Sequence, residues 1–297
     1  MSFIAASAAW DVSAHADFAS YAGKFAQWCE RARAGGASLA VFPEYGTMEL
    51  ASLLAPAVAS DLHASIAALQ AWLEPLRALW REQAVRHGLH ILAPSFPERQ
   101  NDGRYCNVAR LFGPKGGEGE QHKLIMTRFE REQWHISAGS GIHVFETELG
   151  RVGIAICYDG EFPLIARAMA EAGATTLLVP SCTDTLHGYH RVAVGARARA
   201  LENQFHVIQS PLVGLAPWSP AIDENHGAAA IYGPPDIGFP ADGVIASGGI
   251  DQPGLVFGEI DPEKVAAVRK DGRVLNHQHW GEQGAMPLAP ARIVRVA

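Results

Sequence analysis

Grouped apolar positions along the chain predict alternating strands and helices. "FIAASAAW" (3–10) has the unbroken small and apolar character of a buried strand. "DFASYAGKFAQWCERARAGG" (17–36) follows, where Phe18, Tyr21, Ala22, Phe25, Trp28 and Cys29 recur at helical spacing and Gly35 and Gly36 supply a stop. "SLAVFP" (38–43) then reads as a strand covered on both faces. A long helical stretch occupies roughly residues 61–87, with an interruption expected at Pro75. "LHILAPSFP" and "NVARLFGP" are the next strand candidates; a loop region comes after them, then "GIHVFETELG" and "RVGIAIC", joined by a turn at Gly150. Later, "YHRVAVGARARALENQFHVIQSPLVG" predicts a helix running into a strand, "GAAAIYGPP" and "GVIASGG" short strands around turns, and "GLVFGEID" a last strand. "PEKVAAVRK" makes a short helix opened by Pro262 and Glu263. From Gly272 onward the chain reads as an irregular extension, whose Leu275, Trp280, Met286, Leu288 and Ile293 are better packed on the domain or on a second subunit than left free.

One internal echo bears on where chemistry would sit. "GGASLAVFPEYG" and "EAGATTLLVPSCT" share a helix-ending glycine, a buried strand and a proline, so Gly36 matches Gly173 and Pro43 matches Pro180. Two similar helix-to-strand units would deliver the loops at Glu44 and Ser181 from equivalent strand ends, the usual location of sites in α/β proteins.

Composition narrows the class. With 297 residues, 48% of them hydrophobic and 19% charged, the chain can bury a large core. Its 24 basic against 31 acidic residues give a formal charge of −7 without a basic stripe, which disfavours nucleic acid as a partner. The opening "MSFIAASAAWDVSAHAD" lacks a basic leader, and no 18-residue uncharged apolar run would span a bilayer. Cys29, Cys106, Cys157 and Cys182 are neither paired as CxxC nor densely spaced. That pattern argues against a disulfide framework or structural zinc site and for a reducing, cytoplasmic compartment.

Against this background "AICYDGEFP" stands out, because an apolar strand ends on Cys157 and is followed by Tyr158, Asp159, Gly160 and Glu161. A strand-end cysteine can simply be a small buried hydrophobe. To act as a nucleophile it needs a base, a nearby positive charge or a helix start, since a thiol with a pKa near 8.5 is mostly protonated at neutral pH. The helical segment after Pro163 supplies one such feature: strand, sharp turn, helix, as in a nucleophile elbow but without G-x-S-x-G. Glu44 in "AVFPEYG" follows a buried strand, where burial beside a thiol would suit it to acid/base work; it could also be a solvated or helix-starting group. Lys123 in "GEQHKLIM" is either surface charge or a cation placed for a carbonyl oxygen.

Glu44 in "FPEYG", Lys123 in "HKLIMTRFE" and Cys157 in "GIAICYDGEFP", in that order, resemble the Glu, Lys and Cys of the carbon-nitrogen hydrolase (nitrilase) superfamily. The likeness runs from the first strand to "GEIDPEKVAAVR" and includes the "ARARALENQ" helix. It implies an α/β fold, a four-layer αββα sandwich spanning residues 1–271, with 272–297 as a C-terminal extension packed at a subunit interface of a homodimer or larger homo-oligomer. The implied chemistry uses no cofactor and no metal. Glu44 is the acid and base, Cys157 the nucleophile, and Lys123 with the Tyr158 amide the oxyanion hole. A second site glutamate falls on Glu132 in "EREQWHISAG", with Glu130 as the rival. Tyr45, Trp134, Thr183, Asp184 and His187 fall where relatives shape the substrate pocket, while Asp159 is more readily a stiffener of the turn. Nitrilases continue from cysteine into Trp-Glu, whereas Tyr158 and Asp159 stand here, so the resemblance favours a small-molecule amide over a nitrile, with N-carbamoyl compounds a close alternative and a silent binding or assembly relative a remote one.

Overall fold

Phe3–Asp11 forms β1, whose alternate side chains face two different cores. The computed structural model describes residues 1–285 and 292–296. Its first half continues with α1 (Phe18–Ala34), β2 (Ala37–Val41), α2 (Pro56–Ala59), α3 (Leu62–Leu69), α4 (Leu73–His87), β3 (His90–Leu92), β4 (Phe96–Arg99), β5 (Tyr105–Phe112), β6 (Glu118–His122), α5 (Arg128–Glu132) and β7 (Ile136–Ser137). The second half contains β8 (Val144–Thr147), β9 (Gly150–Ile154), α6 (Pro163–Glu171), β10 (Thr176–Ser181), α7 (Leu186–Asn203), β11 (His206–Leu215), β12 (Glu224–Asn225), β13 (Ala230–Tyr232), β14 (Val244–Ser247), β15 (Gly254–Ile260), α8 (Pro262–Asp271), α9 (Asn276–His279) and α10 (Glu282–Ala285).

In one sheet β1 lies between β2, parallel, and β15, antiparallel, and β3 and β5 extend it. In the other, β9, β10 and β11 are parallel, flanked by antiparallel β8 and β13. The sheets meet where β1 and β11 pair over Trp10↔Leu212 and Asp11↔Val213 only. Away from that junction they lie face to face. Ala6, Ala8 and Trp10 of β1 join Phe25, Trp28, Phe42 and Trp80 beneath α1 and α4. Ala5 instead joins Leu39, Val41 and Leu92 against Leu178 and Ile208 of the second sheet, whose other side is covered by α6 and α7. Period-two side-chain alternation thus produces the expected order of helix, sheet, sheet, helix.

The internal echo is structural. Gly36 (φ 82°) and Gly173 (φ 89°) both take the left-handed conformation after a helix. The strands that follow, β2 and β10, flank β1 and β11 on opposite sides of the junction.

Three expectations need correction. The break in the long helical stretch falls at the 3-10 turn Gln70–Trp72, while Pro75 sits in the first turn of α4, where its missing N–H costs no helical bond. Gln70 Nε2 donates to Ile66 O and Pro97 O, both at 2.8 Å, tying this turn to β4. The loop before Lys123 contains β6, antiparallel to β5 from Val108↔His122 to Phe112↔Glu118. Its lack of apolar residues hid it; Glu118 and Glu120 pair with Arg110, at 2.7 and 2.6 Å. The extension from Gly272 is partly helical where an irregular segment was expected, and its first stretch packs on the domain, one of the two expected placements: Arg167 lies over the Trp280 ring at 5.2 Å and donates to His277 O at 2.9 Å. Met286 and Leu288 fall outside the described residues, and Ile293 is exposed.

Among the described residues no helix is long and apolar enough to cross a membrane, and no cluster of three or more His, Cys, Asp or Glu could hold a metal ion.

Candidate active site

β2 runs into Phe42 and Pro43, and the chain turns at Tyr45, whose φ of 56° is unusual for a side chain of that size. Two bonds hold the turn: Tyr45 N–H donates to Ser95 Oγ at 2.9 Å and Thr47 Oγ1 to Ser95 O at 2.7 Å. The Glu44 carboxylate, 1% exposed, is thereby fixed below the crevice. Lys123 follows β6, with its backbone N–H on Asn107 O at 2.9 Å. Its Nζ donates to Glu44 Oε1 at 2.7 Å and to both Glu130 oxygens at 2.8 and 2.7 Å.

Glu130 is set by the start of α5. Thr127 caps the helix, and its N–H and Oγ1 each donate to Glu130 Oε2 at 2.9 Å. The Tyr45 hydroxyl donates to Glu130 Oε1 at 2.6 Å. Glu132, the expected second glutamate, does not reach the lysine; its carboxylate sits on the rim and accepts from Arg128 at 3.0 and 2.9 Å. Two residues on a helix are separated by about 200°, so when one faces inward the other faces out. The structure thus brings Glu130, the rival, to Lys123 and leaves Glu132 at the rim; the capping box T-x-x-E of "TRFE" is the sequence signal for where Glu130 sits.

Cys157 begins a 3-10 turn, Cys157–Glu161, two residues after β9, and has a φ of 49°. A left-handed side-chain-bearing residue at a strand-to-helix turn is local strain, held here by its surroundings. Asp159 clamps the turn to the lysine segment, accepting from Ile125 N–H at 2.8 Å and Leu124 N–H at 3.1 Å. The Cys157 Sγ lies 3.7 Å from Cys182 O, and Cys182 N–H donates to Glu44 Oε2 at 3.0 Å. The Tyr158 amide lies in the first turn beside the sulfur.

Burial pushes the Glu44 carboxyl up to about 7; Lys123 opposes the rise and Glu130 adds to it. Burial also works against charge on Lys123 and Glu130, but each holds the other ionised, the lysine well above its ordinary value and Glu130 below its own. Burial and the Glu44 charge push the Cys157 thiol well up. The resting site therefore holds a thiol beside a carboxyl group poised near neutrality.

These groups open into a cavity of about 720 Å³. Tyr45, Trp134, Thr183 and Asp184 line it, as does Tyr158. His187 does not: α7 turns Gly188, Arg191 and Val192 toward the cavity and leaves His187 on the exposed side. Cys182, Arg191, Asp223 and Glu224 are lining residues that local motifs did not reveal, and Asn107 is a buried partner of Glu44. On the "ARARALENQ" helix Glu202 pairs with Arg199, at 2.8 Å, and Arg197 donates to Asp242 O.

The sequence profile of the carbon-nitrogen hydrolase family matches residues 5–270. A probable hydrolase of Bacillus subtilis, YhcX, is 33% identical over 261 residues, which cover 86% of this chain and 49% of that protein, so the chain spans about half its length. The omega-amidase NIT2-B of Xenopus laevis is 30% identical over 65% of this chain and 68% of its own. Among solved structures, a carbon-nitrogen hydrolase from Helicobacter pylori G27 superposes with a TM-score of 0.75 at 19% identity, covering 97% of this chain and 96% of that one. An amidase from Nesterenkonia sp. AN1, solved with acrylamide, gives 0.65 at 19% identity over 94% and 97%. At such identities the structural likeness is one of fold.

Proposed function

Because the chain belongs to the carbon-nitrogen hydrolase family, we propose that it hydrolyses a non-peptide amide C–N bond of a small molecule through an acyl-enzyme on Cys157. The observation that carries this reading is the buried chain Glu130–Lys123–Glu44, linked at 2.7 Å, ending beside a left-handed cysteine at the floor of a cavity. Lys123, kept charged by Glu130, and the Tyr158 amide hold the oxyanion as the sulfur attacks the carbonyl and Glu44 takes its proton. Glu44 returns that proton to the departing ammonia or amine. It then takes one from a water that attacks the thioester, releasing a carboxylic acid and restoring the thiol.

Tyr45, Trp134, Thr183 and Asp184 line the space the substrate would fill. Tyr45 also serves the site by its bond to Glu130. The omega-amidase relative supports an amide substrate. The four unpaired cysteines fit a reducing compartment, which we take as the cytoplasm.

Glu44→Gln tests the assignment. The amide side chain keeps the shape but exchanges no proton, so both acylation and deacylation should slow. An activated ester, with its good leaving group, should lose less in acylation than the matched amide. Mass spectrometry of the Cys157 adduct reads both steps and distinguishes an acyl from a carbamoyl group. Equal slowing of ester and amide, or undisturbed release of the acid, would sink Glu44 as the shared acid and base; faster turnover of nitriles than amides would overturn the substrate class.

A further inference from the structure

Asn107 lies in the middle of β5, fully buried, and touches both ends of the Glu44–Lys123 pair. Its backbone carbonyl accepts from Lys123 N–H at 2.9 Å. Its side-chain Nδ2 donates to Glu44 Oε1 at 2.8 Å. The opposite amide orientation would set a carbonyl oxygen against the carboxylate, so electrostatics fixes the assignment. Oδ1 then finds no protein donor among the described residues. A buried acceptor without a partner is destabilising. The arrangement therefore favours the Nδ2 contact over complete satisfaction of the amide.

Glu44 Oε1 thus receives two donors, Lys123 Nζ and Asn107 Nδ2, and Oε2 receives the amide of Cys182, the residue whose carbonyl lies 3.7 Å from Cys157 Sγ. We infer that Asn107 is a positioning residue that saturates Oε1 and leaves Oε2 as the oxygen that exchanges the thiol proton. The inference rests on the amidase reading for the reaction, but the proton transfer from Cys157 can be measured without turnover. A donor to the carboxylate also favours its charged form, opposing burial. Removing it should raise the pH at which Glu44 becomes a base.

Asn107→Leu is close in size, leaves the backbone bond to Lys123, and removes the unpartnered Oδ1 together with Nδ2. A merely structural role would show as a loss of thermal stability with the catalytic pH profile unchanged. The positioning role predicts a melting temperature close to that of the unmodified protein, kcat lower by roughly 10- to 100-fold, KM within about twofold, and the acid limb of kcat/KM displaced upward by about one pH unit. Asn107→Ser, whose hydroxyl still offers a donor, should recover part of kcat and of the displacement, and it carries the comparison if the leucine variant does not fold. The rate of Cys157 alkylation by iodoacetamide, followed by mass spectrometry across pH, should show the same upward displacement. Superimposable pH profiles of the unmodified and leucine proteins, or a serine variant as impaired as the leucine one, would overturn the inference. A displaced alkylation profile in a protein that hydrolyses no amide would uphold the role of Asn107 and remove the reaction class instead.

Discussion

Burial of Glu44 beside Lys123 and Cys157 lifts its carboxyl to about 7. Below that pH the group is protonated and cannot accept the thiol proton, so kcat/KM should rise as pH increases through about 7, which a pH–rate profile on one amide would show. A limb near the ordinary glutamate value would contradict the buried environment. Cys157→Ala should abolish turnover with little effect on folding, since the side chain is small and its proposed work is covalent; more than trace activity in the purified variant would remove it as nucleophile. The glutamates of α5 provide the sharpest contrast. Glu130→Gln removes the buried partner of Lys123 and should lower kcat by about 100-fold or more, because a lysine whose charge is less firmly held stabilises the oxyanion less well. Glu132→Gln breaks only an exposed pair with Arg128 and should change kcat/KM by less than about twofold. The reverse ranking would restore Glu132. The sequence left Glu132 and Glu130 as rivals; the capping box of Thr127 and Glu130 fixes where the Glu130 carboxylate lies, and the contact with Lys123 belongs to the tertiary structure.

At the level of elements, the Cys157 turn is positioned by α7. A Cβ at Gly195 would stand 2.9 Å from Gly160 O and 3.3 Å from Glu161 Cα, both backbone atoms of that turn. Arg199, from the next turn of α7, donates to Gly160 O at 3.1 Å. Gly195→Ala should therefore push the helix off the turn, costing about 1–3 kcal/mol and lowering kcat as Cys157 shifts. Gly23→Ala, in α1 with open space around the added methyl, should be neutral or stabilising by up to about 1 kcal/mol. Thermal melts and kinetics on the two variants check this; equal effects would mean that contact with the turn is not what matters. The "ARARALENQ" motif was visible in the sequence, but its bracing of the Cys157–Glu161 turn was not, because α7 and the turn are brought together only by packing over β10 and β11.

For the whole molecule we propose a dimer or larger homo-oligomer. Leu164, Val194 and Leu201 on α6 and α7 are exposed apolar residues of the kind a second subunit would cover. Residues 275–280 already contact α6 and α7 through Arg167 and Gln204, so the extension is placed beside that face. Light scattering at micromolar concentration should give at least twice the mass of 31.8 kDa. Truncation after Asp271 should weaken the assembly and lower the melting temperature. A monomeric full chain contradicts the first expectation, and a dimer indifferent to truncation contradicts the second.

What the sequence determined by itself was set by local or periodic physics. These are the apolar strands and the longer helices of the two halves, the glycine-ended units leading to Glu44 and Ser181, and a cysteine close to a strand end, which the structure places in the turn just beyond β9. Apolar periodicity follows burial, and glycines mark positive φ, without reference to distant residues. Tertiary structure alone decided the rest. β6 is polar and becomes a strand only by pairing with β5; the 3-10 turn at Gln70–Trp72 depends on β4. Asn107 lies 63 residues from Glu44, and Cys182 lies 138 from it. Their contacts exist because the β1–β11 junction sets two sheets face to face, a long-range arrangement that no window along the chain contains.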